Sequence, residues 1–309
     1  MNTQPLDVYI VVADDLLLLD LAGPAEALRM AGPECFRLHF VGPAQHASTL
    51  IGLALNNLAP LPDHFEGRPA LLLVPGHEPQ VTTPQGAQIV NWLRAAMAQP
   101  GVELVTVCAG ALYAARAGLL DRRRCTTHFS QTEELQRLAP SAMVEADRVF
   151  VQDGPVWTSA GITAGIDLAL QLIATKVSPQ RAAEVARRLV VYFRRGGDDP
   201  QLSAWFQHRN HLHPLVHRVQ ERLAQDLATQ WSLQSMAEVA HVSPRHLTRL
   251  FRENAQVAPN EYLRLLRVAQ AQTLLADSRL PMERVAELSG FASARDLRRV
   301  LAKARAAAH

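Results

Sequence analysis

MAEVAHVSPRHLTRLF (residues 236–251) and VAELSGFASARDLRRVL (residues 285–301) are two similar segments that decide the fold of the C-terminal third of the chain. Four positions recur 50 residues apart: Ser243 and Ser293, Leu247 and Leu297, Arg249 and Arg299, and Phe251 and Leu301. Each segment predicts a short helix, a tight turn and a second helix that begins after a serine, because serine is a favoured N-terminal cap. The repeat predicts an all-α domain with two helix-turn-helix units.

The second helix of each unit is expected to have an apolar face and a basic face. In the first unit Leu247, Leu250 and Phe251 face inward at helical spacing, which leaves arginine and threonine side chains outside. Such a face suits a recognition helix, which contacts base edges and phosphates of DNA. The helix predicted between the units, Pro259–Ala276, would be about 27 Å long and could hold two recognition helices about 34 Å apart, one turn of B-DNA.

Composition is consistent with a two-domain protein that has a basic C-terminal part. Of the 309 residues, 48% are hydrophobic, which excludes an intrinsically disordered chain. Residues 211–309 carry 14 Lys and Arg against 9 Asp and Glu, whereas residues 1–210 carry 17 against 20. The sequence shows no signal peptide or membrane span, and its three cysteines show no CxxC spacing. A cytoplasmic protein without disulfides, zinc or a membrane partner is expected.

The first 200 residues alternate apolar runs with helical segments, which predicts a mostly parallel α/β sheet covered by helices on both faces. The predicted strands are Val8–Val12, Leu38–Val41, Ala70–Val74, Val102–Val107, and a hairpin of Arg148–Val151 and Val156–Ser159. The predicted helices are Pro24–Ala31, Pro84–Ala98, Gly110–Ala117, Thr132–Leu138, Thr163–Thr175 and Pro179–Phe193. The stretch RRGGDDP at 194–200 breaks every periodicity. We therefore predict domains at 1–195 and 211–309 with a linker at 196–210.

A candidate site in the first domain lies where predicted strands end. Cys108 follows an apolar strand and precedes a helix of small residues, which resembles a nucleophile elbow and favours the thiolate. Asp20 and the segment Gly76-His77 follow two other strands, and parallel strand ends converge at one edge of a sheet. The alternative is a buried cysteine without chemistry and an aspartate that caps a helix. His208, His211, His213 and His217 lack a nearby acid or cysteine ligand, so no metal site is predicted.

The C-terminal segments SPRHLTRLF, APNEYLRLLRVAQAQTLLADS and VAELSGFAS resemble the DNA-binding domain of the AraC/XylS family over residues 212–303. The resemblance implies that one helix of each unit enters the major groove. It implies base contacts from Arg245, Thr248, Arg249, Ala294, Arg295, Arg298 and Arg299. The chain departs from the family pattern at Gln256, where a glycine is usual, and at Leu297 and Leu301, where phenylalanines are usual. We therefore expect a less well packed second unit that reads fewer bases.

The segments DLAGPAEALRMAG, LLLVPGH, VCAGALYAARAGLLDRRRCTTHF and SAGITAGIDLALQLI resemble the PfpI/ThiJ-like fold, a flavodoxin-like domain related to class I glutamine amidotransferases. Their order, followed by an AraC-type domain, resembles the GlxA-type transcriptional regulators. In enzymes of this fold a cysteine at the place of Cys108 works with an acid at the place of Asp20. The backbone N–H groups at Gly76 and Ala109 would form an anion site, which His128 would assist. In the regulators this pocket is associated with binding a metabolite rather than turning it over.

These resemblances imply a transcription activator that binds promoter DNA, contacts RNA polymerase and forms a homodimer through its first domain. A small effector, derived from an amine or an amino acid, would bind at Asp20, Gly76, Cys108, Ala109 and His128. No cofactor and no catalytic residue is expected. Two alternatives remain open: a thiol enzyme that uses Cys108 with Asp20, and an adaptor whose helical domain binds protein instead of DNA.

Overall fold

The computed structural model describes residues 4–65, 67–77, 83–191, 195–197, 201, 208–209, 211–277 and 280–306. It separates the chain into two compact units, Met1–Gln201 and Leu202–His309. The domain bounds predicted at 195 and 211 remain predictions. No helix in the described ranges combines the length and the apolar character needed to cross a bilayer.

The first unit is an α/β domain. Its strands are β1 (Leu6–Val11), β2 (Phe36–Gly42), β3 (His46–Ser48), β4 (Ala54–Asn56), β5 (Ala59–Pro60), β6 (Ala70–Val74), β7 (Val102–Val107), β8 (Arg124–Cys125), β9 (Met143–Val144), β10 (Phe150–Asp153) and β11 (Val156–Ser159). Its helices are α1 (Leu18–Met30), α2 (Pro84–Met97), α3 (Gly110–Arg116), α4 (Thr132–Leu138), α5 (Ala164–Lys176) and α6 (Pro179–Arg188). The predicted α/β class is confirmed.

A seven-stranded sheet forms the centre of this unit, in the order β10–β11–β7–β6–β1–β2–β5. All neighbouring pairs are parallel except β10 and β11, which form the predicted hairpin. All five residues of β6 are buried because both faces of the sheet are covered. Leu72 and Val74 pack with α2 and α3 on one face, whereas Leu71 and Leu73 pack with α1, α5 and α6 on the other. The sheet thus brings the ends of β6 and β7 side by side.

Helix α1 begins six residues before the predicted start at Pro24. Pro24 lies inside α1, although proline prefers the first turn of a helix. A Cβ atom placed on Gly165 of α5 would meet Pro24 Cδ at 3.5 Å, and one placed on Gly23 would meet Ile166 at 2.9 Å. Small residues therefore let α1 and α5 pack closely at this point. The earlier start places Asp20 in the first turn of α1.

All regular secondary structure in the described part of the second unit is α-helical. Its helices are α7 (Pro214–Gln225), α8 (Leu233–Val239), α9 (Pro244–Ala255), α10 (Pro259–Asp277), α11 (Met282–Leu288) and α12 (Ala294–Ala306). Helices α8 and α9 form the first predicted helix-turn-helix unit, and α11 and α12 form the second. The central helix α10 contributes Tyr262, Leu263 and Leu266 to the core of the first helix-turn-helix unit and Ala271 to the core of the second helix-turn-helix unit.

Candidate functional site

Cys108 occupies the sharp turn between β7 and α3. Its φ angle is 55°, a left-handed conformation that residues other than glycine adopt rarely. Its backbone N–H donates to the Ser159 carbonyl at 3.0 Å, and the Thr127 hydroxyl donates to the Cys108 carbonyl at 2.8 Å. These bonds from neighbouring segments hold the elbow. The side chain is only 5% exposed, so the elbow does not present the thiol to solvent.

Asp20 lies beside Cys108 and is fully buried. Its Oδ1 accepts from the Ile162 backbone N–H at 2.6 Å, and its Oδ2 accepts from the Gly76 N–H at 3.2 Å. The Cys108 thiol lies close enough to this carboxyl for each group to influence the pKa of the other. Burial raises the pKa of Asp20 above its ordinary value, although the two backbone donors oppose the shift. The carboxyl joins the ends of three chain segments, a role larger than that of a helix cap.

Burial, reinforced by the charge of Asp20, raises the pKa of the Cys108 thiol to about 12. The backbone N–H of Ala109 opposes this shift, but its effect is smaller than that of burial. The thiol is therefore protonated at neutral pH. The prediction that the helix start favours the thiolate is wrong, because desolvation at a sealed strand end outweighs the N–H groups of a seven-residue helix.

The structure brings together four of the five residues predicted to bind a ligand: Asp20, Gly76, Cys108 and Ala109. A Cβ atom placed on Gly76 would lie 2.3 Å from Asp20 Oδ2, 3.0 Å from Cys108 Cβ and 3.4 Å from the Ala109 nitrogen. The Gly76 N–H, one half of the predicted anion site, already donates to the Asp20 carboxyl. Any anion at this position would have to compete with that carboxyl.

His128 has other partners. Its Nδ1 bonds to the Ser130 hydroxyl at 2.8 Å and caps the 3-10 turn Phe129–Gln131, while its ring packs on Phe129 with centroids 4.2 Å apart. Burial lowers the pKa of His128 below its ordinary value. His128 thus shapes the loop next to Thr127, and its predicted part in ligand binding remains a prediction.

Two residues near Cys108 were missed by sequence reasoning. Gly161 has a φ angle of 109°, and a Cβ atom there would lie 2.7 Å from Cys108 Sγ, so a side chain has no room. Ile162 donates the shorter of the two backbone bonds to Asp20. Both lie in the segment SAGIT, whose signal is an isolated glycine shortly after a strand.

His77 follows Gly76 and is fully buried. Its ring accepts a hydrogen bond from the Ala13 N–H at 3.3 Å, and burial lowers the pKa of His77 to about 4.

In the second unit, both predicted recognition helices, α9 and α12, begin after a serine cap as predicted. The Ser243 hydroxyl accepts from the His246 N–H at 3.3 Å, and the Ser293 hydroxyl accepts from the Asp296 N–H at 3.2 Å. The preceding turns contain one residue each in the left-handed conformation, His241 with φ 54° and Gly290 with φ 74°. The two helix-turn-helix units therefore share caps and turn conformation.

The cationic residues predicted to contact DNA are exposed: Arg245, Arg249, Arg295, Arg298 and Arg299. Arg249 pairs with Glu253 at 3.4 Å, and Arg299 pairs with Asp296 at 2.5 Å. Within the described part of the chain Arg245, Arg295 and Arg298 make no ion pair. These three side chains are thus free to reach an anionic partner.

The two uncharged candidates differ from the arginines. The Thr248 hydroxyl donates to the Pro244 carbonyl of its own helix at 2.9 Å. Ala294 is only 8% exposed, so most of its methyl group is covered by protein. Their predicted base contacts would need a change of hydroxyl partner at Thr248 and close backbone approach at Ala294. Both remain predictions.

Three of the four histidines considered for a metal site have protein partners. His208 Nδ1 bonds to the Ala255 carbonyl at 2.8 Å, and His211 Nε2 bonds to Gln220 Oε1 at 3.1 Å. His217 Nε2 lies 3.0 Å from Glu221 Oε1, so the expectation that no acid lies near these histidines is wrong for His217. In the ranges that the structure describes, no three His, Cys, Asp or Glu side chains converge as metal ligands would.

Family comparison covers most of both units. Residues 7–175 match the DJ-1/PfpI family, and residues 236–306 match a helix-turn-helix domain. The chain belongs to the DJ-1/PfpI family and carries an AraC-type helix-turn-helix domain behind it. It is a transcriptional regulator of the helix-turn-helix type, as its fold and its relatives along nearly the whole length indicate.

Among these relatives, the HTH-type transcriptional regulator CdhR of Pseudomonas aeruginosa is 30% identical over 93% of this chain and 85% of its own length. The HTH-type transcriptional regulator GlxA of Rhizobium meliloti is 30% identical over 62% of this chain and 59% of its own. An isonitrile hydratase of Pseudomonas putida is 37% identical over 127 residues, 40% of this chain and 54% of its own. The resemblance to the regulator CdhR thus covers 93% of the chain, whereas the resemblance to this enzyme covers 40%.

A solved structure shares its fold with part of this chain. An AraC family transcriptional regulator from Pseudomonas putida superposes with a TM-score of 0.54 at 21% identity, over 60% of this chain and all of that chain. At this identity the likeness concerns the fold alone.

Proposed function

We propose that α9 and α12 are the two helices with which this regulator reads promoter DNA. The observation that supports the proposal is that each helix is capped by a serine and carries arginines on an exposed face, with Arg245, Arg295 and Arg298 outside the described ion pairs. Arginine can bind guanine and phosphate through two N–H groups at once. The long helix α10 packs against both helix-turn-helix units and spans about 28 Å over its 19 residues.

The test is selection of duplexes from random sequence by the full chain, followed by measurement of the dissociation constant at several salt concentrations. The proposal is supported if binding is specific and the logarithm of the association constant falls linearly with the logarithm of the salt concentration, because phosphate contacts release counterions. A chain that enriches no duplex would instead be the adaptor considered above, whose helical unit binds protein.

We also propose that a small metabolite binds over the Cys108–Asp20 site. Since both side chains are sealed, the metabolite would contact the loops that cover them. Leu19 and Ile162 flank Asp20 and expose 46% and 38% of their surface, and Phe129 exposes 49% on the neighbouring loop. Exposed apolar side chains beside a buried polar cluster are typical of a small-molecule site. An effector derived from an amine or an amino acid follows from the resemblance to GlxA-type regulators.

A thermal-shift screen of amines and amino acids against the full chain tests this second proposal. A compound that raises the melting temperature of the wild type should lose its effect in Ile162→Ala. Val177→Ala is a matched control, because Val177 is 39% exposed at the opposite end of α5. Equal shifts in both variants would place the compound elsewhere.

Homodimerisation through the first unit, contact with RNA polymerase, activation rather than repression and a cytoplasmic location follow from the same resemblance and are part of the proposal. Analytical ultracentrifugation of the full chain tests the dimer. Transcription in vitro from a selected promoter, with and without the effector, tests both the polymerase contact and the direction of regulation.

The isonitrile hydratase among the relatives favours one competing function, a thiol enzyme. The raised pKa and burial of Cys108 weigh against it. We expect iodoacetamide to alkylate Cys108 in the native chain more slowly than Cys35 at pH 8, because Cys35 is partly exposed. Mass spectrometry of the labelled peptides measures the two rates. Rapid labelling of Cys108, together with turnover that Cys108→Ala abolishes, would favour the enzyme.

A further inference from the structure

Two loops hold the Cys108–Asp20 site from outside, and we call them the site loops: residues 126–128 and residues 161–163. Thr127 of the first loop donates its hydroxyl to the Cys108 carbonyl at 2.8 Å. Ile162 of the second loop donates its N–H to Asp20 at 2.6 Å. A ligand that moves the Cys108–Asp20 pair must therefore move at least one site loop or break one of these bonds.

The first site loop also holds Gln201, a residue of the predicted linker. The Gln201 side-chain amide donates to the Thr127 carbonyl at 2.7 Å and to the Ala146 carbonyl at 3.0 Å, and its backbone N–H donates to Asp147 Oδ1 at 3.0 Å. Gln201 is only 8% exposed. Because Thr127 uses its hydroxyl for Cys108 and its carbonyl for Gln201, one residue joins the site to the linker.

The second site loop holds the chain a few residues earlier. Arg195 donates to the Thr163 hydroxyl at 2.9 Å. It also donates to both carboxylate oxygens of Asp167, from its backbone N–H at 3.1 Å and from Nε at 2.9 Å, and Asp167 is buried. The chain leaving the first unit is thus fastened to both site loops, at Arg195 and at Gln201.

The next described residue, His208, belongs to the second unit and contacts a recognition helix. His208 with a proton on Nδ1 donates to the Ala255 carbonyl at 2.8 Å. Ala255 is the last residue of α9, where carbonyls have no partner within the helix. The His208 carbonyl accepts from the buried Gln220 side chain at 2.8 Å, which fixes the position of the histidine. His208 therefore satisfies the free C-terminal end of α9.

We propose that Gln201 and His208 are positioning residues that couple the Cys108–Asp20 site to recognition helix α9. Six residues, 202–207, join them, and a chain of this length spans at most about 25 Å between the two Cα atoms. In this proposal, a ligand that favours one arrangement of the site loops changes the position of the Gln201 side chain, and the change reaches the His208–Ala255 hydrogen bond along the chain that joins the two residues. The inference rests on the proposed function, in which α9 reads DNA and the first unit binds an effector.

The test is a set of double-mutant cycles on the full chain, with a duplex selected from random sequence as the probe. Thr127→Val disturbs the site, because it removes the hydroxyl bound to Cys108 and keeps the carbonyl bound to Gln201. Gly161→Ala is a second disturbance, which places a methyl group against Cys108 Sγ. We expect each to change the dissociation constant of the duplex at least fivefold, the lower end of common allosteric couplings.

In the background of Gln201→Ala, and separately of His208→Ala, we expect the change caused by Thr127→Val to fall below about twofold. Gln136→Ala is the matched control, because the Gln136 amide also donates to backbone carbonyls, those of Ala139, Pro140 and Ala142, at 3.2–3.3 Å. In that background the fivefold change should persist. Circular dichroism and melting temperature show that each variant is folded.

Each other outcome overturns the inference. If Thr127→Val and Gly161→Ala change the dissociation constant equally in the native background and in the Gln201→Ala background, the site is coupled to α9 by another route, and the proposed function stands. If neither changes the dissociation constant in the otherwise native chain, the site loops do not act on α9. If the native chain selects no duplex, the inference fails together with the proposed function.

Discussion

The two helix-turn-helix units have the same local design but differ in how firmly they are held. Among the described residues, the core around α9 contains fourteen buried residues, from α7, α8, α9, α10 and the segments that follow α7 and α8. The core around α12 contains four buried residues in the part of the chain whose burial is described, from α10, α11 and α12. Matching caps and turns therefore do not imply matching stability. The motif determines the shape of each unit, and the number of apolar side chains packed behind it determines how well that shape is maintained.

The turns show the same contrast at single positions. His241 in the first turn and Gly290 in the second both have positive φ angles, which glycine adopts without strain and histidine does not. Glycine at 290 is required for a second reason, because a Cβ atom would lie 2.2 Å from the Leu227 carbonyl. The first turn tolerates a side chain, whereas the second has the backbone of another segment against it.

The largest effect is expected from truncating the matched core leucines. Leu247→Ala should lower the free energy of unfolding by about 4 kcal/mol and Leu297→Ala by about 2 kcal/mol, because the smaller core has fewer neighbours to lose and collapses more easily around the gap. Urea denaturation of the full chain, with hydrogen exchange of α9 and α12 peptides, measures both. Equal losses would show that the cores support their helices equally.

At the two turn positions we expect substitutions to change the free energy of unfolding in opposite directions. Gly290→Ala should cost about 2 kcal/mol, through strain and through contact with the Leu227 carbonyl. His241→Gly should stabilise by about 0.5 kcal/mol, because glycine relieves the positive φ angle. Melting temperatures of the two variants provide the measurement. A stabilising Gly290→Ala would contradict the close approach described here.

For DNA binding, matched arginines compare the two helices directly. Arg245→Ala should weaken binding to a selected duplex by about 2 kcal/mol, and Arg295→Ala by about 1 kcal/mol, because α12 is held by the smaller core. Fluorescence anisotropy with selected and random duplexes gives both values. If either variant loses equal affinity for the two duplexes, that arginine contacts phosphate rather than bases.

The smallest effect is expected at the end of α9. Gln256 adopts a φ angle of 57°, where the family resemblance led us to expect glycine. Gln256→Gly should raise the free energy of unfolding by about 0.5 kcal/mol, because relief of the left-handed strain exceeds the entropy that glycine adds to the unfolded chain. Chemical denaturation measures this change, and Gln256→Ala, which retains the strain, is the control.

Much of the fold could be predicted from patterns of apolar residues. Strands β6 and β7 and helix α4 have the predicted bounds, because long apolar runs and a clear helical period leave little ambiguity. The short pairs β3–β4 and β8–β9 were missed, since two or three residues carry no period. The predicted helix to Phe193 ends instead at Arg188, and residues 192–194 lie outside the described ranges.

The candidate site was predicted in part. Asp20, Gly76 and Cys108 converge because parallel strand ends meet at one edge, a rule that needs only strand order. The protonation of Cys108 could not be predicted, because it depends on burial, which a strand-and-helix pattern does not give. The hydrogen bonds of Gln201 were missed for a related reason, since the stretch before it breaks every periodicity and indicated only a linker.

Helix α10 has a consequence for how such a chain can change during evolution. It contributes Leu266 to one core and Ala271 to the next, five residues later, with no loop between them. One amino acid inserted between these positions would rotate the second helix-turn-helix unit, including α12, by about 100° about the axis of α10. Insertions and deletions in this stretch are therefore expected to be selected against even where every single substitution is accepted, and its length should be better preserved than its sequence.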